Sequence, residues 1–204
     1  MNLPDRTGAR PDFSLVQIRP MSIGQRQEEV HIEADERHRA VIVSAQALGN
    51  GVLRHIADIV YVRPDVFDAS RTVQIATELG PLNGRLVAEG RRYLLVGPGR
   101  WGTADRWLGI PAAWNQVSGV GAVVETSLAG LSADPSQGSH FFHNITSLGI
   151  GYLTVTGGAD RVDWPWLDAQ PAAAETRHLR HLRLERPLTI KIDGKNGDAV
   201  VLAE

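Results

Sequence analysis

Apolar residues recur along the chain with two different spacings, and each spacing predicts a different element. Phe13 to Arg19 alternates apolar and polar side chains, which predicts a strand with Gln17 and Arg19 on a shared face, stopped by Pro20. Gln25 to Arg39 is crowded with Glu, Asp and Arg and has few apolar anchors. It reads as a solvated linker with a short extended piece at Val30-His31-Ile32, and places a boundary near residues 21–38. Beyond it, short apolar runs predict strands at 40–43, 56–62, 93–97, 121–126 and 150–155. A spacing of three and four predicts a helix from Ser70 to Leu79, ended by Gly80-Pro81 and resuming from Leu82 to Glu89. A second helix is predicted from Ser139 to Leu148, and residues 188–194 and 196–202 read as a terminal hairpin. Strands and helices mix throughout without a repeat, so the class is α/β or α+β.

Composition narrows the function classes. The 204 residues carry 21 Lys and Arg against 23 Asp and Glu, a net charge of −2, so no overall field favours nucleic acid or an anionic membrane. The absence of cysteine excludes disulfides, thiolate metal sites and cysteine nucleophiles. No apolar run approaches the length of a membrane span and no secretory leader is visible, which leads to the expectation of a cytoplasmic protein. The 21 glycines are more than average composition supplies and suggest tight turns or close backbone approaches.

Four segments carry residues suited to chemistry. Gln17 and Arg19 pair an amide oxygen, a hard metal ligand, with a guanidinium that can clamp phosphate. Gly99, Arg100 and Gly102 follow a buried strand, where backbone N–H groups and a cation can converge on an anion; Trp101, Trp107 and Trp114 can stack on a ligand or simply pack. Gly138, Ser139 and His140 stand where a helix begins, a position that attracts anions and keeps an imidazole neutral and nucleophilic. His140 and His143 also have the spacing of two metal ligands, without an identifiable third, and the residues alone favour one solvated histidine and one packed and hydrogen-bonded. Glu175 to Arg186 holds four arginines and two histidines among three leucines, a pattern read as the solvated face of a packed element rather than a nucleic-acid surface.

Phe13-Ser14-Leu15-Val16-Gln17-Ile18-Arg19-Pro20 resembles the closing strand of the ATP-grasp domain of phosphoenolpyruvate synthase and pyruvate phosphate dikinase. Residues 99–111 and 134–142 look like bacterial proteins with a PEP/pyruvate-binding domain. Ser139-His140, Leu148-Gly149-Ile150 and Asp193-Gly194-Lys195-Asn196-Gly197 are similar to the active segment and late hairpin of the family's phosphohistidine domain. Two departures stand beside this: the family's glycine pair before the histidine is missing, and Phe141 and Phe142 replace small alanines.

The resemblance implies residues 1–37 as an arm completing an ATP-grasp domain and residues 38–204 as a swivelling phosphohistidine-like β/β/α domain. It implies His140 as phosphoryl carrier, with Gly138, Ser139, Gly99, Arg100 and Gly102 binding the anion. Gln17 and Arg19 would serve the nucleotide, with Gln17 on its metal. ATP and Mg2+ are the implied cofactors, though the chain lacks most of an ATP-grasp domain and is expected to bind ATP poorly and to be inactive alone. The implied partners are an ATP-grasp module, in this or another chain, and a small acceptor such as pyruvate, with no nucleic acid or membrane. The competing expectation is a non-catalytic ligand-binding or interaction module that kept the fold without the histidine chemistry and uses Trp101, Trp107 and Arg100 as its surface; the missing glycine pair favours it, and the helix-start setting of His140 favours the carrier.

Overall fold

A computed structural model describes residues 29–128, 130–132, 145 and 148–203. Gln17, Arg19, Gly138, Ser139, His140 and His143 lie outside the described residues. The elements run α1 (Ala34–Arg39), β1 (Ile42–Ser44), β2 (Gln46–Leu48), β3 (Gly51–Val62), α2 (Thr72–Ala88), β4 (Tyr93–Pro98), β5 (Arg100–Trp101) and β6 (Gly109–Ile110). They continue with β7 (Val120–Thr126), β8 (Gly151–Val155), β9 (Arg161–Val162), a short α3 (Trp164–Ala169), β10 (Ala172–Glu175), β11 (Leu179–Asp193) and β12 (Asp198–Leu202). The class is mixed, with one large sheet and few helices, as α+β chains have. No helix among the described residues is long and apolar enough to cross a membrane.

The strand order is β2-β8-β7-β4-β3-β11-β12-β1-β9. Within this sheet β3, β4, β7 and β8 are mutually parallel and the remaining pairings are antiparallel, while β5 and β6 form a separate parallel pair. Only Ala45 separates β1 from β2, yet β1 pairs with β12 and β2 with β8, so the continuous segment 42–48 bridges β12 to β8 and closes the sheet into a barrel, with β9 added on β1. The seam is bonded on both sides. Ala47 N–H donates to the Gly197 carbonyl at 2.7 Å, Ser44 Oγ donates to the Thr154 carbonyl at 2.6 Å, and Ala45 N–H donates to Asp160 Oδ1 at 2.8 Å.

Two apolar layers follow from the period of two in the strands. Ile42, Ile59, Leu94, Val124, Leu153 and Val201 belong to the inner cluster, which draws on every strand of the barrel. The outer face of the parallel strands, with Val60, Leu95, Val123 and Tyr152, is covered by α2 through Ile75, Leu79, Leu82 and Leu86.

Two expectations are corrected. The expected helix break at Gly80-Pro81 does not occur: α2 runs through Pro81. Ile75, Leu79, Leu82 and Leu86 keep one apolar face in phase across the proline, and burial of that face outweighs the one backbone bond that proline removes. The expected solvated linker becomes a helix from Ala34. Glu36 Oε2 accepts the Glu33 N–H at 2.9 Å and the Lys191 ammonium at 2.8 Å, and Ile32 packs beside Val43, Val200 and Leu202. Lys191 and the Glu33 amide hold the Glu36 carboxyl below its ordinary range.

Candidate functional site

The carboxyl ends of the parallel strands are where the chain leaves the sheet for its loops, the usual place for a ligand in parallel architectures. β4 ends there in Gly97-Pro98, and the register sets Gly97 beside Glu125 of β7 and Glu125 beside Thr154 of β8. These residues share the outer face of the sheet with Val123 and Tyr152 below them.

Gly97 is needed for a close approach. A Cβ there would stand 2.3 Å from Trp101 Cζ2, so the indole lies on the bare backbone of β4 and is buried. Gly99 turns the chain out of β4 with φ of 63°, and a side chain there would also meet the Leu108 carbonyl. The turn pairs β5 with β6, presenting Arg100 on a short, braced loop.

The four backbone N–H groups of this loop are all engaged within the chain. Gly99 donates to Thr126 O at 2.9 Å, Arg100 to Leu108 O at 3.0 Å, and Gly102 to Ile110 O at 2.9 Å. Trp101 N–H donates to Glu125 Oε1 at 2.9 Å. The glycine spacing therefore shapes the loop, and an anion here would meet the Arg100 side chain instead of a backbone cradle.

Glu125 is the residue that sequence reasoning missed. It is 2% exposed, Oε1 accepts from Trp101 N–H, and Oε2 accepts from the Tyr152 hydroxyl at 2.5 Å. Burial pushes its carboxyl up to about 7, against the opposing pull of Tyr152, the Trp101 amide and the Arg100 charge. A signal was present: Glu125 is the single ionisable side chain in the apolar run from Val120 to Thr126, all of it buried. Both Glu125 oxygens are satisfied, whereas a polar atom on each of two neighbours is not. Trp101 Nε1 and Thr154 Oγ1 are buried without a hydrogen-bond partner.

The other tryptophans divide. Trp114 packs partly buried against the outer cluster, whereas Trp107 is 57% exposed with the Arg106 guanidinium 4.6 Å from its ring centroid. The Glu175–Arg186 segment forms parts of β10 and β11, and its basic residues mostly serve internal contacts. His181 Nε2 and Arg183 Nε bond Asp58 Oδ1 at 2.8 and 3.1 Å, and Arg91 Nε bonds Asp58 Oδ2 at 2.6 Å. Burial pushes the Asp58 carboxyl up, but these three donors outweigh it and hold it below its ordinary value. A cavity of about 570 Å³ opens beside this cluster, near the amino end of β4. Its guanidinium groups are engaged within the chain, Arg91 and Arg183 in ion pairs with Asp58, Arg183 also with Glu89, and Arg92 in a hydrogen bond to the Val120 carbonyl.

Among the described residues no group of three or more His, Asp or Glu stands close enough to hold a metal ion. No family model matches the chain, and neither the curated proteins nor the solved structures give a match.

Proposed function

We propose that the chain is a phosphotransfer-associated domain of the phosphoenolpyruvate synthase and pyruvate phosphate dikinase type, built on a phosphohistidine-like unit. In this reading it works with an ATP-grasp module and holds a small anion at the carboxyl edge of its parallel strands. The observation that carries the reading is the buried Glu125, level with Thr154 in the sheet and joined by the Trp101 N–H to the loop that bears Arg100. The Arg100 guanidinium, whose charge acts on Glu125, suits the oxygens of a phosphoryl group or a small carboxylate. His140 is the proposed carrier, receiving the phosphoryl group on a ring nitrogen and passing it to an acceptor such as pyruvate. ATP and Mg2+ belong with the partner module and with Gln17 and Arg19.

Two measurements test this. Phosphate and phosphoenolpyruvate should bind the chain in calorimetry, and Arg100→Ala should weaken both about tenfold or more through loss of its charged hydrogen bonds; unchanged affinity would sink the site. With an ATP-grasp partner and Mg-ATP, an acid-labile, base-stable phosphate should form on the chain and vanish in His140→Ala.

A second reading rests on a different observation. Trp107 and Leu108 are exposed side by side, with Arg106 stacked on the indole, which suits an interaction module without histidine chemistry. Anion binding without any phosphorylated form of the chain would favour it.

A further inference from the structure

The cavity of about 570 Å³ beside Asp58 lies at the amino end of β4, opposite the end that carries the Arg100 loop, and has no part in the function proposed above. An irregularity of β11 builds one of its walls. Arg183 stands beside Asp58 and Leu188 beside Ile56, so the four residues from Leu184 to Pro187 face Ala57 alone. Such a bulge takes residues out of the ladder and re-aims their side chains, and Pro187 has no N–H to give the ladder. Leu184, Glu185 and Pro187 line the cavity as a result. Arg91, Arg92 and Arg183 line the same space, each anchored through only part of its guanidinium. Arg91 uses Nε on Asp58, Arg92 uses Nη1 on the Val120 carbonyl at 3.1 Å, and Arg183 uses Nε on Asp58 and Nη2 on Glu89.

Both Nη groups of Arg91, Nε and Nη2 of Arg92 and Nη1 of Arg183 therefore have no acceptor among the described residues. The Arg91 and Arg183 side chains are 35% and 40% exposed, so a solute can reach these donors. Asp58 does not compete with it, because His181 and Arg183 already fill Oδ1 and Arg91 fills Oδ2. Nor do the arginines cap α2, whose last carbonyls at Arg85, Leu86 and Val87 accept from the amides of Glu89, Arg91 and Gly90. We propose that this cavity binds a small organic phosphate, its oxygens on the unused guanidinium N–H groups and its organic part against Ala57, Leu184 and Pro187. A tetrahedral phosphate presents acceptors in several directions and can meet three guanidinium groups at once. Asp58 and Glu89 hold two of the three in place beforehand, so little side-chain freedom is lost on binding. The volume lies within the roughly 300–1,000 Å³ of ordinary ligand sites and exceeds what a bare phosphate fills. Glu185, on the same wall, repels a second acidic group and so selects ligands with a single phosphate.

A residue-resolved readout keeps this site apart from the one at Arg100. In nuclear magnetic resonance titrations of the intact chain, glycerol 3-phosphate should shift the amide signals of Gly90, Arg91 and Arg92 and the Arg183 Nε–H together and saturably. Inorganic phosphate should do the same at higher concentration. Arg92→Gln, which leaves every ion pair of Asp58 in place, should weaken glycerol 3-phosphate about tenfold or more, and Glu185→Gln should tighten it. Should Arg92→Gln fail to fold, Arg183→Gln takes its place with the same expected loss. Equal affinity for glycerol 3-phosphate and inorganic phosphate would overturn the organic ligand. Shifts confined to residues 99–102 would place the anion at the Arg100 loop and overturn this site while supporting the other. No saturable shift at Gly90, Arg91 or Arg92, or undiminished binding in the arginine variants, would overturn it as well.

Discussion

Glu125 makes the stability of the protein depend on pH in an unusual direction. Its carboxyl titrates at about 7 in the fold against 4.5 in the open chain, so between those values the folded state binds the extra proton. Its contribution is fully present below about 4.5 and is lost as the pH rises through 7. The upper bound is on the order of 3 kcal/mol. Chemical denaturation across this range should show stability falling with rising pH, and Glu125→Gln should flatten the slope. Asp58 acts in the opposite sense: its lowered carboxyl stabilises the fold above its ordinary range, and that contribution is lost as the pH falls through the lowered value. Asp58→Asn should cost about 3–5 kcal/mol, because it leaves His181, Arg91 and Arg183 without their shared carboxylate. Gly97→Ala should destabilise by roughly 1–3 kcal/mol through overpacking, as the added methyl meets the Trp101 indole. A loss of near-ultraviolet circular dichroism from the displaced tryptophan would report the same event, and an unchanged spectrum and midpoint would contradict it.

Among the elements, α2 shows most clearly how pattern and punctuation compete. Its apolar face is legible in the spacing of Ile75, Leu79, Leu82 and Leu86, while Gly80-Pro81 argues for a stop. The face prevails because those residues are buried against the outer side of the parallel strands, whereas Pro81 points to solvent. Pro81→Ala should therefore stabilise the protein by about 1–3 kcal/mol, restoring an N–H to the ladder and an unhindered Thr77 carbonyl. A thermal melt that fails to rise would show that the proline sets a bend the packing needs. α1 is the reverse case. A charged segment with few apolar residues reads as linker, and what makes it helical is Lys191, distant in sequence, meeting Glu36.

For the whole molecule, stability hinges on the barrel seam. Ala45 N–H is held by Asp160, and the strands on either side are joined through Ser44 and Ala47. Asp160→Ala should cost about 1–3 kcal/mol by orphaning that amide, and hydrogen exchange should quicken at Ala47 before it does at Leu94 in the barrel interior. Uniform exchange across the strands would mean that the barrel opens as one unit and not from the seam.

The strands were readable because burial on both faces demands continuous apolar runs, as at Tyr93–Val96 and Val120–Val124. The braced loop after β4 was readable as a loop, since Gly97, Gly99 and Gly102 interrupt such a run. The sequence by itself thus determined a mixed class, the positions of most strands and a turn bearing Arg100. Only the tertiary structure decided that the sheet closes, because closure depends on β1 and β2 choosing different partners, β12 and β8, more than a hundred residues away. It also decided the chemistry of the site. Whether a glutamate at the end of an apolar run is solvated or buried depends on what covers it. Here Trp101 reaches Glu125 from the next loop and Tyr152 from the next strand, and neither neighbour is visible in the local pattern.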